Sequence, residues 1–332
     1  MKLENKSLRV GAVVIVFAIL LRLFSGGVLG RMAQIITSPA VASFLLYLET
    51  GKVVRLPEEI PQETTQQSEP EQQPENVPPE PPAQAVFSAG DAGLVQVNNL
   101  CGYTTDVQAL LTSPLVWNLS GDAPTVLILH SHGSESYTKT EDYTESSDYR
   151  TLDERYNMIS IGALIAECLE QQGISVIHDK TLHDYPSYSG SYDHARTTIE
   201  AYLEQYPTIA LVLDIHRDAM ENSAGEQIGS TVEIAGQSAA QLMLVVGSDA
   251  GGLNHPGWQN NMALAVKLHA QLEKTAPGIC RPISFRSQRF NQDLSAGAVL
   301  VEVGAAGNTR QEALAAAQIL AQGIGALAGG TA

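Results

Sequence analysis

The sequence predicts an α/β domain built on a twisted, mainly parallel sheet with helices on both faces. An N-terminal transmembrane helix and a disordered linker are expected ahead of it. Three observations predict the domain. Runs such as "TVLIL", "IALVL" and "AVLVEV" are short and almost wholly apolar, as strands buried on both faces are. Longer stretches between them repeat apolar residues at helical spacing. The two kinds alternate, which is the order of strands joined by crossover helices.

In chain order, "TVLILH" (125–130) is the first buried strand. "NMISIGALIAECLEQQG" (157–173) is a helix stopped at Gly173, and "ISVIHD" (174–179) is the next strand. "HARTTIEAYLEQYP" (194–207) is a helix ended by Pro207. "IALVLDIH" (209–216) and "MLVVGSD" (243–249) follow as strands. "NMALAVKLHAQLEKTAPG" (261–278) is a helix, "AVLVEVG" (298–304) a strand, and "TRQEALAAAQILAQGIGALAG" (309–329) the last helix.

Ahead of this domain the chain changes character. Residues 1–31 carry Lys2, Lys6 and Arg9 before an apolar run broken only by Arg22, the pattern of a cytoplasmic tip and a membrane anchor. Residues 32–55 are a weaker apolar stretch containing Pro39, suited to lying beside a membrane. Residues 56–85 hold seven glutamates, many prolines and no Lys or Arg, which describes an extended, disordered spacer. The basic flank places everything after the anchor outside the cytoplasm. Residues 86–332 form the globular head.

The formal net charge of −17 argues against a nucleic-acid partner, since phosphate binding needs a basic surface. The three cysteines are far apart and lack metal-site spacing. Cys168 reads as a small buried residue, and a Cys101–Cys280 bridge is one possibility outside the cytoplasm.

The chemistry gathers where buried strands end, the edge at which sheets of this class place their sites. The first strand yields His130, His132 and Glu135; "DIHRDA" yields Asp214, His216, Arg217 and Asp218; "VLVEVG" contains Glu302. Histidines and a carboxylate around an open position are what catalytic Zn²⁺ uses, with a further glutamate as base. Each histidine alone is more simply a hydrogen-bonded loop residue, and Glu135 alone a helix-start carboxylate. The alternation of strand side chains makes His130 and His132 neighbours. A glutamate amid Val and Leu costs several kcal/mol unless it meets a cation or holds its proton, which marks Glu302 as a base. Asp214 would support a ligand imidazole, and His178 could reach the site. His255 and His269 read as structural or surface residues. The tyrosine-rich loop around His183 and His194 suits a wall for a polar, extended ligand.

Together, "ILHSHGSESYT", "HDKTLHDYPSYSGSY", "DIHRDA" and "VEVGAAGNT" resemble the stage II sporulation protein P family, over roughly residues 125–330 and in the anchor layout. That resemblance implies a membrane-anchored peptidoglycan hydrolase of endospore-forming bacteria, acting at the septum during engulfment. It implies a fold like the zinc N-acetylmuramoyl-L-alanine amidases, with amidase and endopeptidase activity, and cooperation with sporulation proteins D and M. Carried onto this chain, His132, Glu135 and His216 hold the zinc, and His130 either replaces or supports His132. Glu302 is the catalytic glutamate, and Arg217 helps stabilise the oxyanion. The departure is at the carboxylate ligand, where Glu145 or Glu154 would match the amidase spacing better than Glu135. Two rivals remain at this stage: a tethered wall-binding module without catalysis, and a zinc carboxypeptidase acting on a soluble substrate.

Overall fold

The computed structural model describes residues 86–329, apart from Val116 and Glu145. The expected anchor, membrane-proximal segment and spacer all lie outside the described residues. Among the described residues no helix is long and apolar enough to cross a membrane.

Seven strands make one sheet: β1 (Val97–Asn99), β2 (Val126–Leu129), β3 (Val176–His178), β4 (Leu211–Asp218), β7 (Leu242–Val246), β8 (Ile283–Phe285) and β9 (Ala298–Ala305). Their order is β1-β8-β7-β9-β4-β2-β3. Every neighbouring pair is parallel except β7 and β9, so two parallel blocks meet at one antiparallel seam. The expectation of a mainly parallel sheet holds, with that one reversal. A separate hairpin joins β5 (Thr231–Ile234) to β6 (Gln237–Ala240). Its two turn residues, Ala235 and Gly236, both have positive φ (50° and 81°), as a type I′ turn requires.

Strand alternation sorts the core into two faces. Val126, Ile128, Leu211, Leu213, Ile215, Val299, Val301 and Val303 pack with α2 (Met158–Glu170), α4 (Trp258–Thr275) and α5 (Arg310–Leu327). A short α1 (Val107–Thr112) adds Leu111 to that layer. On the opposite face Leu127, Leu129, Val212 and Ala298 pack with α3 (Ser191–Gln205) through Ala195 and Ile199. Helices therefore cover both faces. Asp214, His216 and Glu302 share the parity of Val212 and Ala298, so they stand on the α3 face.

The helix ends follow the sequence. Asn157 caps α2 by accepting from the Ile159 N–H at 3.0 Å. Gly173, at φ 79°, lets Gly173 N–H reach Glu170 O and Ile174 N–H reach Leu169 O, a Schellman closure. Thr309 and Glu312 form a capping box on α5.

All three cysteines are free, so the Cys101–Cys280 bridge does not form. The parallel register Val97↔Ile283 explains it: Cys101 lies beyond the end of β1, whereas Cys280 lies before the start of β8.

Candidate metal centre

The strand β2 ends at Leu129 and the chain then turns through residues 131–134. That turn separates the two histidines that strand alternation would have left side by side. His130 keeps the parity of Val126 and Ile128 and lies under α2. Its Nδ1 is 2.9 Å from Ile215 O and its Nε2 is 2.9 Å from His178 Nε2. A Cβ on Gly162 would lie 2.6 Å from either Nε2, so this glycine makes room for the pair. Burial, and then the neighbouring His178, push the His130 pKa down to about 3. His130 is therefore not one of the converging ligands, and neither is His178.

His132 emerges on the other side of the turn. There His132, Glu135 and His216, all buried, offer ligand atoms within 4.8 Å of one another. His132 Nδ1 stands 3.6 Å from Glu135 Oε1, and His216 Nδ1 stands 3.7 Å from Glu135 Oε2. These gaps are too long for hydrogen bonds. They suit two ligands of one ion, since atoms about 2.0–2.2 Å from a tetrahedral zinc stand roughly 3.3–3.6 Å apart. His132 Nε2 is buried without a hydrogen-bond partner, a second sign that something else completes the site. The residues present fit a zinc ion.

Neighbouring groups prepare the three. Asp214 accepts from His216 Nε2 at 2.8 Å and from the Ser131 N–H and hydroxyl at 2.8 and 2.6 Å. Asp214 thus holds a proton on Nε2 and leaves Nδ1 as the ring nitrogen that faces Glu135. Burial opposes charge on His216, but the Asp214 carboxylate outweighs it and raises the pKa to about 9. Burial likewise opposes charge on Glu135, yet the contact with His132 and the charges of Arg217 and His216 bring it down to about 2.

Glu302 sits beside His216 in the β4–β9 register. Just beyond, the register shifts so that Asp218 faces Ala305, where Gly304 adopts φ 70°. Glu302 is the one residue of β9 that is not fully enclosed, although its Oε2 is buried and has no partner. Burial, opposed by His216 and reinforced by Glu135, raises its pKa to about 8. A carboxyl poised near neutrality beside a candidate ion site can carry a proton.

A sequence model described as "Stage II sporulation protein P (SpoIIP)" matches residues 47–325. The chain belongs to the stage II sporulation protein P family. The family member curated from Bacillus subtilis (strain 168) is 28% identical over 215 residues, covering 61% of this chain and 50% of that protein. The chain thus spans about half the length of the curated relative it matches. Among solved structures, the N-acetylmuramoyl-L-alanine amidase AmiC2 of Nostoc punctiforme aligns at 17% identity and TM-score 0.37, over 62% of this chain and 96% of that one. The N-acetylmuramoyl-L-alanine amidase of Clostridium difficile 630 aligns at 17% and 0.34, over 61% and 96%. Superpositions that loose fix no residue correspondence.

Within this family member, the other expected site residues find different places. Arg217 is buried, and its guanidinium donates to Ser136 O at 3.0 Å and Tyr149 O at 2.9 Å. It also lies 3.8 Å from Glu135, so it holds the loop and the carboxylate rather than facing an oxyanion. Glu154 is exposed, and Glu145 lies outside the described residues. His183 and His194 bond to backbone carbonyls, at His130 O and His183 O. His255 and His269 are both buried.

Arg150 and Asp184 also belong to the site. Asp184 accepts from the Ser134 hydroxyl at 2.6 Å and pairs with Arg150 at 2.6 Å, while Arg150 reaches Glu135 at 3.3 Å. Arg150 carries no motif and Asp184 lies within "HDKTLHDYPSYSGSY" without a sign of its task, so only proximity reveals what they do. The tyrosine-rich loop does supply a wall. Tyr188 stacks on His132 at 4.5 Å, and Tyr192 meets it edge-on at 5.3 Å.

Proposed function

We propose that this chain is a zinc-dependent peptidoglycan hydrolase that cleaves the N-acetylmuramoyl-L-alanine amide, or bonds within the stem peptide, during endospore engulfment. The observation carrying the proposal is the convergence of His132, Glu135 and His216 beside an unpartnered Glu302. Family membership supports the cell-wall substrate. On the same reading, the N-terminal segment anchors the head outside the cytoplasm and the head works with sporulation proteins D and M.

Held by His132, Glu135 and His216, zinc would polarise the scissile carbonyl and acidify a water. Glu302 takes the proton of the attacking water and delivers it to the leaving amine, so one carboxyl serves both halves of the reaction. Asp214 keeps His216 in the tautomer whose Nδ1 faces the ion. Arg217 and Arg150 hold Glu135 ionised and stationary.

The test is digestion of purified sacculi by the full chain, followed by mass spectrometry of the released muropeptides, with and without chelator. New alanine or stem-peptide amino groups are expected only when zinc is present. Sacculus binding without release of amines would instead support the tethered binding module.

A further inference from the structure

Hydrolysis of an amide needs a donor for the oxygen of the scissile carbonyl as it gains charge. Arg217 was the residue expected to help there, but its guanidinium donors reach Ser136 O and Tyr149 O. Arg150 is occupied by Asp184, Ser134 and Glu135. Two phenols remain beside the candidate ion site, Tyr188 and Tyr192.

Tyr192 lies in the first turn of α3, and its backbone carbonyl is fixed by Asn291 Nδ2 at 2.7 Å. Its ring packs against Met243, Val245 and Leu300 and lies 5.9 Å from Phe290. From there it meets His132 edge-on at 5.3 Å and lies nearly parallel to His216 at 6.3 Å, an interplanar angle of 13°. The ring thus touches both imidazoles of the proposed ion site. Its hydroxyl makes no hydrogen bond among the described residues, although a half-buried phenol ordinarily finds a partner. A phenol keeps its proton at neutral pH, so the hydroxyl can donate a hydrogen bond.

We propose that Tyr192 is a catalytic residue whose hydroxyl hydrogen-bonds the scissile carbonyl oxygen as it becomes an oxyanion. This rests on the hydrolase reading above. In the step concerned, the water oxygen bonds to the carbonyl carbon and the carbonyl π pair moves onto oxygen. Glu302 takes the water's proton, and Tyr192 donates a hydrogen bond without losing its own. On collapse the carbon–nitrogen bond breaks and Glu302 protonates the amine. Tyr188, whose ring also touches His132, is more than half exposed (58%), so water already serves its hydroxyl.

The experiment compares the full-length wild type, Tyr192→Phe and Tyr188→Phe on purified sacculi, reading muropeptide release, zinc content and thermal unfolding. The Phe ring preserves the packing against Met243 and both imidazoles. Tyr192→Phe is expected to keep zinc, unfolding temperature and KM while kcat falls by about 10²–10³, the usual effect of losing one oxyanion donor. Three results overturn the proposal: a Tyr192→Phe enzyme within about threefold of wild type, a variant that loses zinc, or a larger loss at Tyr188→Phe. A wild type that releases no zinc-dependent amines overturns the hydrolase reading and this inference with it. An active wild type with an equally active Tyr192→Phe overturns this inference alone.

Discussion

His130 and His178 lie on the face of the sheet that α2 covers, whereas His132 and His216 lie on the α3 side, against Tyr192. Both pairs leave the ends of neighbouring parallel strands. The first pair is closed on itself: each ring finds the other at 2.9 Å, and His130 also finds Ile215 O. The second is incomplete, with His132 Nε2 and Glu302 Oε2 buried and unpartnered. Whether a buried imidazole is structural or functional is thus decided by its partners. Position at a strand end does not separate the two.

The sharpest test of the comparison is metal content. His216→Ala should abolish stoichiometric zinc uptake, while His130→Ala retains it, as read by metal analysis of the purified chains. Equal loss in both would erase the distinction between the pairs. Next in size, Glu302→Gln should keep zinc but lower wall hydrolysis by about 10²–10⁴, the usual contribution of a general base. Full activity in that variant would remove Glu302 from the mechanism. Asp214→Asn should weaken zinc affinity by about 10–100-fold, since it releases the orientation of His216 without touching the ion. Competition with a calibrated chelator measures it.

On the closed side, Gly162→Ala should destabilise the fold by about 1–3 kcal/mol, because the added methyl meets both ring nitrogens at 2.6 Å. Urea unfolding gives the value, and zinc per folded molecule should not change. The smallest effect concerns pH. In the metal-free chain Glu302 titrates near 8 against an ordinary 4.5, so the folded state holds a proton that the unfolded state releases. Stability should therefore fall as pH rises from about 4.5 to about 8. Glu302→Gln should flatten that slope in chelator, and an unchanged slope would show that Glu302 is not the group responsible.

Much of the fold was legible in local patterns. The runs that became β2, β4 and β9 and the helices α2 to α5 were each visible in contiguous residues. The three-residue strands β1 and β8 were not, because "VNN" and "ISF" are too short to show a period. The antiparallel seam between β7 and β9 was also hidden, since strand direction depends on how a distant segment returns. At the site, His132, Glu135, His216 and Glu302 were nameable from strand-end positions. His130 was misplaced because alternation was extended past Leu129, where the strand stops. The partners of Arg217, Ser136 and Tyr149, were not legible because they lie about seventy or more residues away in sequence.

The sequence by itself determined the longer buried strands, the long helices that cover them, and the ionisable residues that stand at those strand ends. All of that is written in residues close together along the chain. Only the tertiary structure decided which imidazole faces which carboxylate, because that depends on register between strands such as His216↔Glu302 and on the turn after β2. Side-chain alternation has a period of two, so one residue of turn or shift moves a group to the opposite face. The distance between a closed histidine pair and a candidate ion site is, in this protein, that single turn.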